Sequence, residues 1–412
     1  MIIKPMIRSN ICINAHPEGC AKETYRQIDY VIAQKKKRGT LSLKEGGAGP
    51  AKVLVLGCST GYGLASRITA SFEYDAETIG VSFEKEATVT RGGTPGYYNN
   101  KAFDKAAESS GIKSFTFNAD AFSDETRNAV IAKAKEFGWK FDLVIYSLAS
   151  PVRTDPDTKV MYKSVIKPCG KTYSGQTVDM MTGKLSVMSA EPAAENEIAD
   201  TIKVMGGEDW QRWMKMLLEN NVLAEGCRTV AYSYIGPELS HAIYRDGTIG
   251  NAKKDLEKKA SEISLQMKNS LGKTAGAFVS ENKGLVTRSS AVIPIIPLYL
   301  SILFKVMKLK GTHEGCIEQM ERLFAERLYL GKNSSASPAV PVDEENRIRI
   351  DDWELADDVQ QEVSRRMAVV NEENLCVLAD LAGYRHDFMA ANGFDVDGVD
   401  YSADVTDMTS IE

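Results

Sequence analysis

From residue 52 onward the chain repeats one pattern: a short apolar run, then a longer stretch with apolar and polar residues at helical spacing. Val53-Leu54-Val55-Leu56 is the first run and has the unbroken character of a strand buried on both faces. Ile79 to Phe83, Ser114 to Asn118, Leu143 to Tyr146, Thr229 to Tyr234 and Ala277 to Ser280 continue the series. Glu125 to Phe137, ahead of the fourth run, is amphipathic at the helical period. Strands alternating with helices in this way predict an α/β fold on a doubly wound parallel sheet of Rossmann type.

Three stretches fall outside the alternation. Residues 1–50 hold β-like runs at Ile2-Ile3 and Ile11-Cys12-Ile13, a helical stretch from Ala21 to Lys37, and a glycine-rich linker ending at Pro50. Residues 151–205 are rich in Pro, Gly, Thr and Lys and predict a hairpin and loops. Residues 331–412 contain Asn346-Arg-Ile-Arg-Ile-Asp-Asp352, which alternates like a strand, and an acidic helix from Trp353 to Val370. The division this suggests is an N-terminal extension (1–50), a nucleotide-binding domain (51–330) with a substrate-covering insertion at 151–205, and a C-terminal extension (331–412) packed on the same domain. The most apolar run, Ala291 to Val306, contains Pro294 and Pro297 and falls short of the ~20 residues of a membrane span. It reads as a buried loop and helix, a candidate lining for an acyl site.

Composition narrows the class. Of 412 residues, 43% are hydrophobic and 26% charged, and the formal charge is −6. Nothing global draws such a chain to nucleic acid. Seven cysteines at scattered spacings, with no C-x-x-C, fit a reducing cytoplasm better than a disulfide scaffold. The opening residues lack the apolar core and cleavage site of a signal peptide. The four histidines form no metal-ligand pattern, and His313-Glu314-Gly315-Cys316 is not read as a metal site. A monomer is favoured over a dimer.

Directly after the first strand comes Gly57-Cys58-Ser59-Thr60-Gly61-Tyr62-Gly63. Glycines at a strand-to-helix junction let the backbone approach a pyrophosphate, and the helix N-terminus presents free N–H groups to it. Phe83-Glu84 closes the second strand. A carboxylate there accepts hydrogen bonds from an adenosine ribose and repels a 2′-phosphate, which favours NADH over NADPH. Lys85 and Arg91 offset part of that repulsion. Asp120-Ala121, ending the third strand, can meet the adenine. Leu148-Ala149, after the fourth, lets the backbone reach the nicotinamide ribose.

Tyr234, Tyr244 and Lys253 supply candidate chemistry. A phenol can protonate or polarise a carbonyl. A nearby ammonium favours the ionised phenol and can hold a ribose hydroxyl. Eight residues separate Tyr244 from Lys253. At ~100° per residue, positions four or seven apart share a helix face, whereas positions nine apart stand ~180° from each other. One unbroken helix cannot bring this pair together. Gly247 and Gly250 lie between them, and glycine is poor in helix interiors. The spacing predicts that Tyr244 precedes a helix starting near Thr248 or Gly250, with Lys253 in its first turns and Lys254 competing for the same role.

These segments resemble the bacterial trans-2-enoyl-CoA reductases and the related V-type enoyl-acyl-carrier-protein reductases. The resemblance runs the length of the chain: Met1-Ile-Ile-Lys-Pro5, Gly57 to Arg67, Asp120-Ala-Phe-Ser-Asp124, Tyr146 to Arg153, Gly206-Gly-Glu-Asp-Trp210, the Tyr-x8-Lys element, Lys283 to Arg288 and Leu381 to Phe388. It implies an enlarged short-chain-dehydrogenase-like fold. It also implies that Gly57, Cys58, Ser59, Thr60, Gly61, Tyr62, Phe83, Glu84, Asp120, Ala121, Leu148, Ala149 and Lys253 hold NADH. Leu285, Val286 and Thr287 would close over the nicotinamide. Tyr244 would be the proton donor, and Tyr234 would contact the thioester end of the substrate.

The implied activity is NADH-dependent reduction of the trans-2 double bond of short-chain enoyl-CoA thioesters, crotonyl-CoA to butyryl-CoA in type. The near alternative is the same reaction on acyl-carrier-protein substrates in fatty-acid biosynthesis, which calls for a basic rim; Arg8, Lys163 and Lys167 are candidates. A non-catalytic NADH-binding regulator is the remote alternative. No separate flavin motif is visible.

Overall fold

The structure, a computed structural model, describes residues 1–8, 11–39, 49–287, 296–328, 330 and 339–411. The chain opens with an antiparallel hairpin, β1 (Ile7–Arg8) and β2 (Ile11–Cys12), followed by α1 (Pro17–Arg38). Ile2 and Ile3 are not in a strand. The Met1 amino group instead donates to the Val405 carbonyl at 2.7 Å, tying the N-terminus to the C-terminal region.

Then come β3 (Lys52–Leu56), α2 (Gly61–Ile68), β4 (Glu77–Ser82), α3 (Pro95–Ser109), β5 (Ser114–Asn118), α4 (Asp124–Phe137) and β6 (Phe141–Tyr146). Two hairpins follow, β7 (Val152–Thr154) with β8 (Met161–Lys163) and β9 (Tyr173–Val178) with β10 (Leu185–Ala190), and then α5 (Glu195–Met205) and α6 (Glu208–Glu219). The 151–205 stretch thus holds two hairpins and a helix rather than one hairpin and loops. Glu197 starts that helix by accepting the Ala194 N–H at 2.9 Å. Next are β11 (Leu223–Ser233), α7 (Glu238–His241), α8 (Thr248–Leu271), β12 (Gly276–Glu281), α9 (Ile296–Lys310) and α10 (Cys316–Leu323). The chain ends with β13 (Arg347–Arg349), α11 (Asp357–Val369), α12 (Leu375–Leu378) and α13 (Leu381–Ala390).

All six predicted core strands are present. The sheet order is β13-β12-β11-β6-β3-β4-β5, with every neighbouring pair parallel. From β3 the chain winds outward through β4 and β5, then returns to the other side of β3 and continues through β6. Ligands of open parallel sheets bind at such a reversal, beyond the carboxyl ends of the strands. Alternation of side chains builds a core on each face: Leu54 and Leu56 pack with Val144, Trp210 and Trp213, while Val53 and Val55 pack with Leu64, Phe103 and Ile145.

The seventh strand, β13, comes from the C-terminal extension and pairs with β12. The acidic helix begins at Asp357, because residues 352–354 form a turn. Of the apolar run, Ala291 to Ile295 lie outside the described residues. The rest is α9, whose Leu298, Leu300, Leu303 and Phe304 anchor a third core with Val359, Val363, Tyr384 and Phe388.

Candidate active site

Chain reversal puts the turn after β3 against the end of β6. Gly57 has φ +85°, in the left-handed region. A Cβ on it would lie 2.1 Å from the Ser147 carbonyl oxygen, and one on Gly63 would lie 1.9 Å from the Gly57 carbonyl oxygen. Both glycines are therefore demanded by close backbone approach. At Gly61 the space is open as far as Thr287, whose Cγ2 would stand 3.7 Å from a Cβ. Thr287 thus faces the glycine turn. Thr60 makes no side-chain cap, which leaves the first N–H groups of α2 available to an anion. Cys58 points inward, fully buried, and burial pushes its thiol up, so only its backbone can face a ligand. The Tyr62 phenol donates to the Lys283 carbonyl.

Glu84 sits just past β4. Its carboxylate accepts from the Ser59 hydroxyl at 2.6 Å and from the Thr94 hydroxyl. Asn118 brackets its backbone, accepting its N–H at 2.7 Å and donating to its carbonyl at 3.0 Å. Phe83 beside it is 78% exposed, outside the strand predicted to contain it. Asp120 accepts the Phe122 N–H at 2.9 Å, and the buried Ala121 accepts the Trp213 indole N–H at 2.9 Å. Leu148 is half-buried and Ala149 exposed, just past β6.

Helix α8 begins at Thr248, leaving Tyr244 in the preceding turn, as the spacing predicts. A Cβ on Gly250 would stand 1.8 Å from the Arg245 carbonyl oxygen, and the Gly250 N–H donates to the Tyr244 carbonyl at 3.0 Å. Tyr244 meets Tyr234 edge to face, centroids 5.0 Å apart. Its phenol donates to no described residue. The Lys253 ammonium donates to the Tyr232 carbonyl at 3.0 Å and not to this phenol. Burial, then Glu281 and Glu354, push the Tyr244 phenol up. Burial lowers Lys253 against the opposing pull of Glu281 and Glu257. Lys254, the next residue, is exposed.

Several residues were not legible in the sequence. Glu354, 1% exposed, accepts from the phenols of Tyr234 at 2.9 Å and Tyr299 at 2.6 Å, and from the Gly284 N–H at 2.5 Å. Burial pushes its carboxyl up, while Lys283 and these donors pull it down. Lys283, also buried, donates to the Gly284 carbonyl at 3.2 Å and is lowered by burial to about 8. Tyr232 exchanges a hydrogen bond with Ser66 at 2.5 Å and backs Tyr62 edge to face. Glu354 falls in the stretch read as an acidic helix from Trp353, 120 residues from Tyr234, so no local signal marked it.

A glycine turn at the reversal of a parallel sheet, with a phenol beyond the neighbouring strand ends that bonds to no described residue, defines an oxidoreductase of the nicotinamide-nucleotide, Rossmann class. Three family models cover the chain. The NAD(P)H binding domain of trans-2-enoyl-CoA reductase matches residues 2–89, the trans-2-enoyl-CoA reductase catalytic region 91–329, and the enoyl reductase FAD binding domain 342–405. The chain belongs to the trans-2-enoyl-CoA reductase family. It is 61% identical over 405 residues to a Treponema denticola protein named trans-2-enoyl-CoA reductase (NADH), covering 98% of each. It is 51% identical over 412 residues to a Cytophaga hutchinsonii protein named enoyl-acyl-carrier-protein reductase (NADH), covering 100% of this chain and 99% of that one. The crystal structure of the Treponema denticola reductase in complex with NAD superposes with a TM-score of 0.91, covering 99% of this chain and 98% of that one.

Residues 342–405 do not fit a flavin. A flavin dinucleotide needs free N–H groups for its pyrophosphate. Here the first turn of α11 carries Asp357 and Asp358, and Asp380 takes the Gly383 N–H at the start of α13. Inward-facing Val359, Val363, Tyr384 and Phe388 pack on α9.

Proposed function

We propose that the chain reduces the trans-2 double bond of short-chain enoyl-CoA thioesters with NADH. The observation that carries this reading is the Tyr244 phenol, placed beside Tyr234 beyond the strand ends and bonded to no described residue. The turn Gly57 to Tyr62 and the first N–H groups of α2 would take the pyrophosphate, Glu84 and Phe83 the adenosine, and Asp120 and Ala121 the adenine edge. Leu148, Ala149 and Lys253 would hold the nicotinamide ribose, under Leu285, Val286 and Thr287. A bound NADH supplies hydride for the β-carbon.

Negative charge then develops on the thioester oxygen. Tyr244 donates a hydrogen bond to that oxygen, where the charge appears, and is the source of the proton that reaches the α-carbon. Burial keeps the phenol protonated at neutral pH, as a donor must be. Tyr234 borders the thioester end. We read residues 51–330 as the nucleotide domain and 1–50 and 331–412 as its extensions. The seven cysteines, at scattered spacings with no C-x-x-C, support a cytoplasmic setting, and a monomer is our expectation.

Carrier-protein substrates are the second reading, favoured by the Cytophaga hutchinsonii relative. Of the proposed rim, Lys167 is neutralised by Glu197 at 2.6 Å, which leaves Arg8 and Lys163 exposed. Loss of 340 nm absorbance from NADH with crotonyl-CoA, against crotonyl-carrier-protein, separates the two. NADH binding by fluorescence with no turnover of either would leave only a regulator.

A further inference from the structure

One side chain from the C-terminal region enters the active site. Glu354 lies between β13 and α11, and its turn is fastened by Gln360, which donates to the Glu354 carbonyl at 2.7 Å. Its three donors, Tyr234, Tyr299 and Gly284, lie 120, 55 and 70 residues away in the chain. A Cβ on Gly284 would stand 3.0 Å from the Tyr234 hydroxyl, so these groups form one packed unit. Buried Lys283 sets a compensating positive charge in the same pocket.

A phenol carries one proton. While Tyr234 donates that proton to Glu354, its oxygen offers only lone pairs to anything bound beyond it. An enolate oxygen needs donors. Of the two stacked phenols, only Tyr244 then has a proton to give.

We propose that Glu354 is a positioning residue for the reduction: it accepts the hydrogen bond of the Tyr234 hydroxyl and fixes that ring, so that the thioester oxygen meets Tyr244 as its phenolic donor. The inference rests on the enoyl-thioester reading above.

The test is a double-mutant cycle on the full-length protein, with crotonyl-CoA and NADH. Glu354→Leu is close in size and removes both acceptor oxygens, including the Oε1 to which Tyr234 donates. It should lower kcat for crotonyl-CoA by about 10- to 100-fold, the worth of a hydrogen bond to a charged group. Because Glu354 acts through Tyr234, adding Glu354→Leu to Tyr234→Phe should cause little further loss in kcat, with NADH binding kept. Residues in contact couple even in a structural role, so kcat of the folded protein decides: a purely structural role lowers the melting temperature and leaves kcat as in the wild type. Multiplying losses in kcat, or an unchanged kcat in Glu354→Leu, overturn the proposal. If Glu354→Leu does not fold, Glu354→Asp, which draws the carboxylate back from Tyr234, takes its place under the same criterion. Wild-type protein that leaves crotonyl-CoA unreduced would overturn the functional reading itself, before any variant is compared.

Discussion

Tyr234 and Tyr244 meet edge to face, with centroids 5.0 Å apart and planes at 83°. Their hydroxyls have opposite fates: one is bound to Glu354, and the other is bound to no described residue. Such a pair holds the rings in place while leaving one phenol for chemistry.

Tyr244→Phe preserves this ring contact and removes only the hydroxyl. Turnover of crotonyl-CoA should fall by roughly 10²–10⁴, the usual contribution of a positioned acid. NADH binding, followed by fluorescence, should persist. Unchanged turnover would remove Tyr244 from the mechanism.

The break between Tyr244 and α8 depends on Gly250, whose missing side chain admits the Arg245 carbonyl oxygen to within 1.8 Å of the Cβ position. That neighbour is backbone and cannot rotate away. Gly250→Ala should destabilise the fold by about 1–3 kcal/mol, the usual effect of overpacking, and should lower kcat at the same time by displacing Tyr244. Denaturant melts and steady-state rates on one preparation check both. A variant with wild-type kcat would separate the helix start from the placement of Tyr244.

This relation also marks how far the sequence could be read. The buried strands were legible because apolar runs such as Val53 to Leu56 have no other use in a chain that alternates with amphipathic helices. The helix start at Thr248 was legible because rotation per residue forbids Tyr244 and Lys253 from sharing one face. The Lys253 contact was not, since its partner is a main-chain carbonyl, that of Tyr232, and carbonyls carry no sequence signature. Nor was β13 as a sheet member: three residues of alternation, Arg347 to Arg349, do not say which strand they pair with. Glu354 was hidden by its acidic neighbours and by sequence distance.

Glu84 offers a test of cofactor choice. Its carboxylate is held by Ser59 and Thr94 at the edge of the glycine turn, beside exposed Phe83. Glu84→Gln retains the shape and removes the charge that would face a 2′-phosphate. The ratio of kcat/KM for NADH to that for NADPH should fall by about 10-fold, the effect of some 1.4 kcal/mol of like-charge repulsion. An unchanged ratio would mean that the 2′ position is read elsewhere.

His313 predicts an acid limit to stability. Its ring packs edge to face on Phe304, centroids 4.6 Å apart. Burial, followed by the nearby Lys283 and Lys308, lowers it from its ordinary 6.5 to about 3, against the opposing pull of Asp380. Between those values the unfolded chain binds a proton that the folded chain refuses, so stability rises with pH. The contribution is fully present above 6.5 and is lost as pH falls toward 3. His313→Gln has no such proton to exclude. Melting temperatures measured from about pH 7 down to about pH 4 should fall more steeply for the wild type than for this variant. Parallel slopes would show that the ring is protonated in the folded protein, and that the Phe304 contact does not exclude the charge.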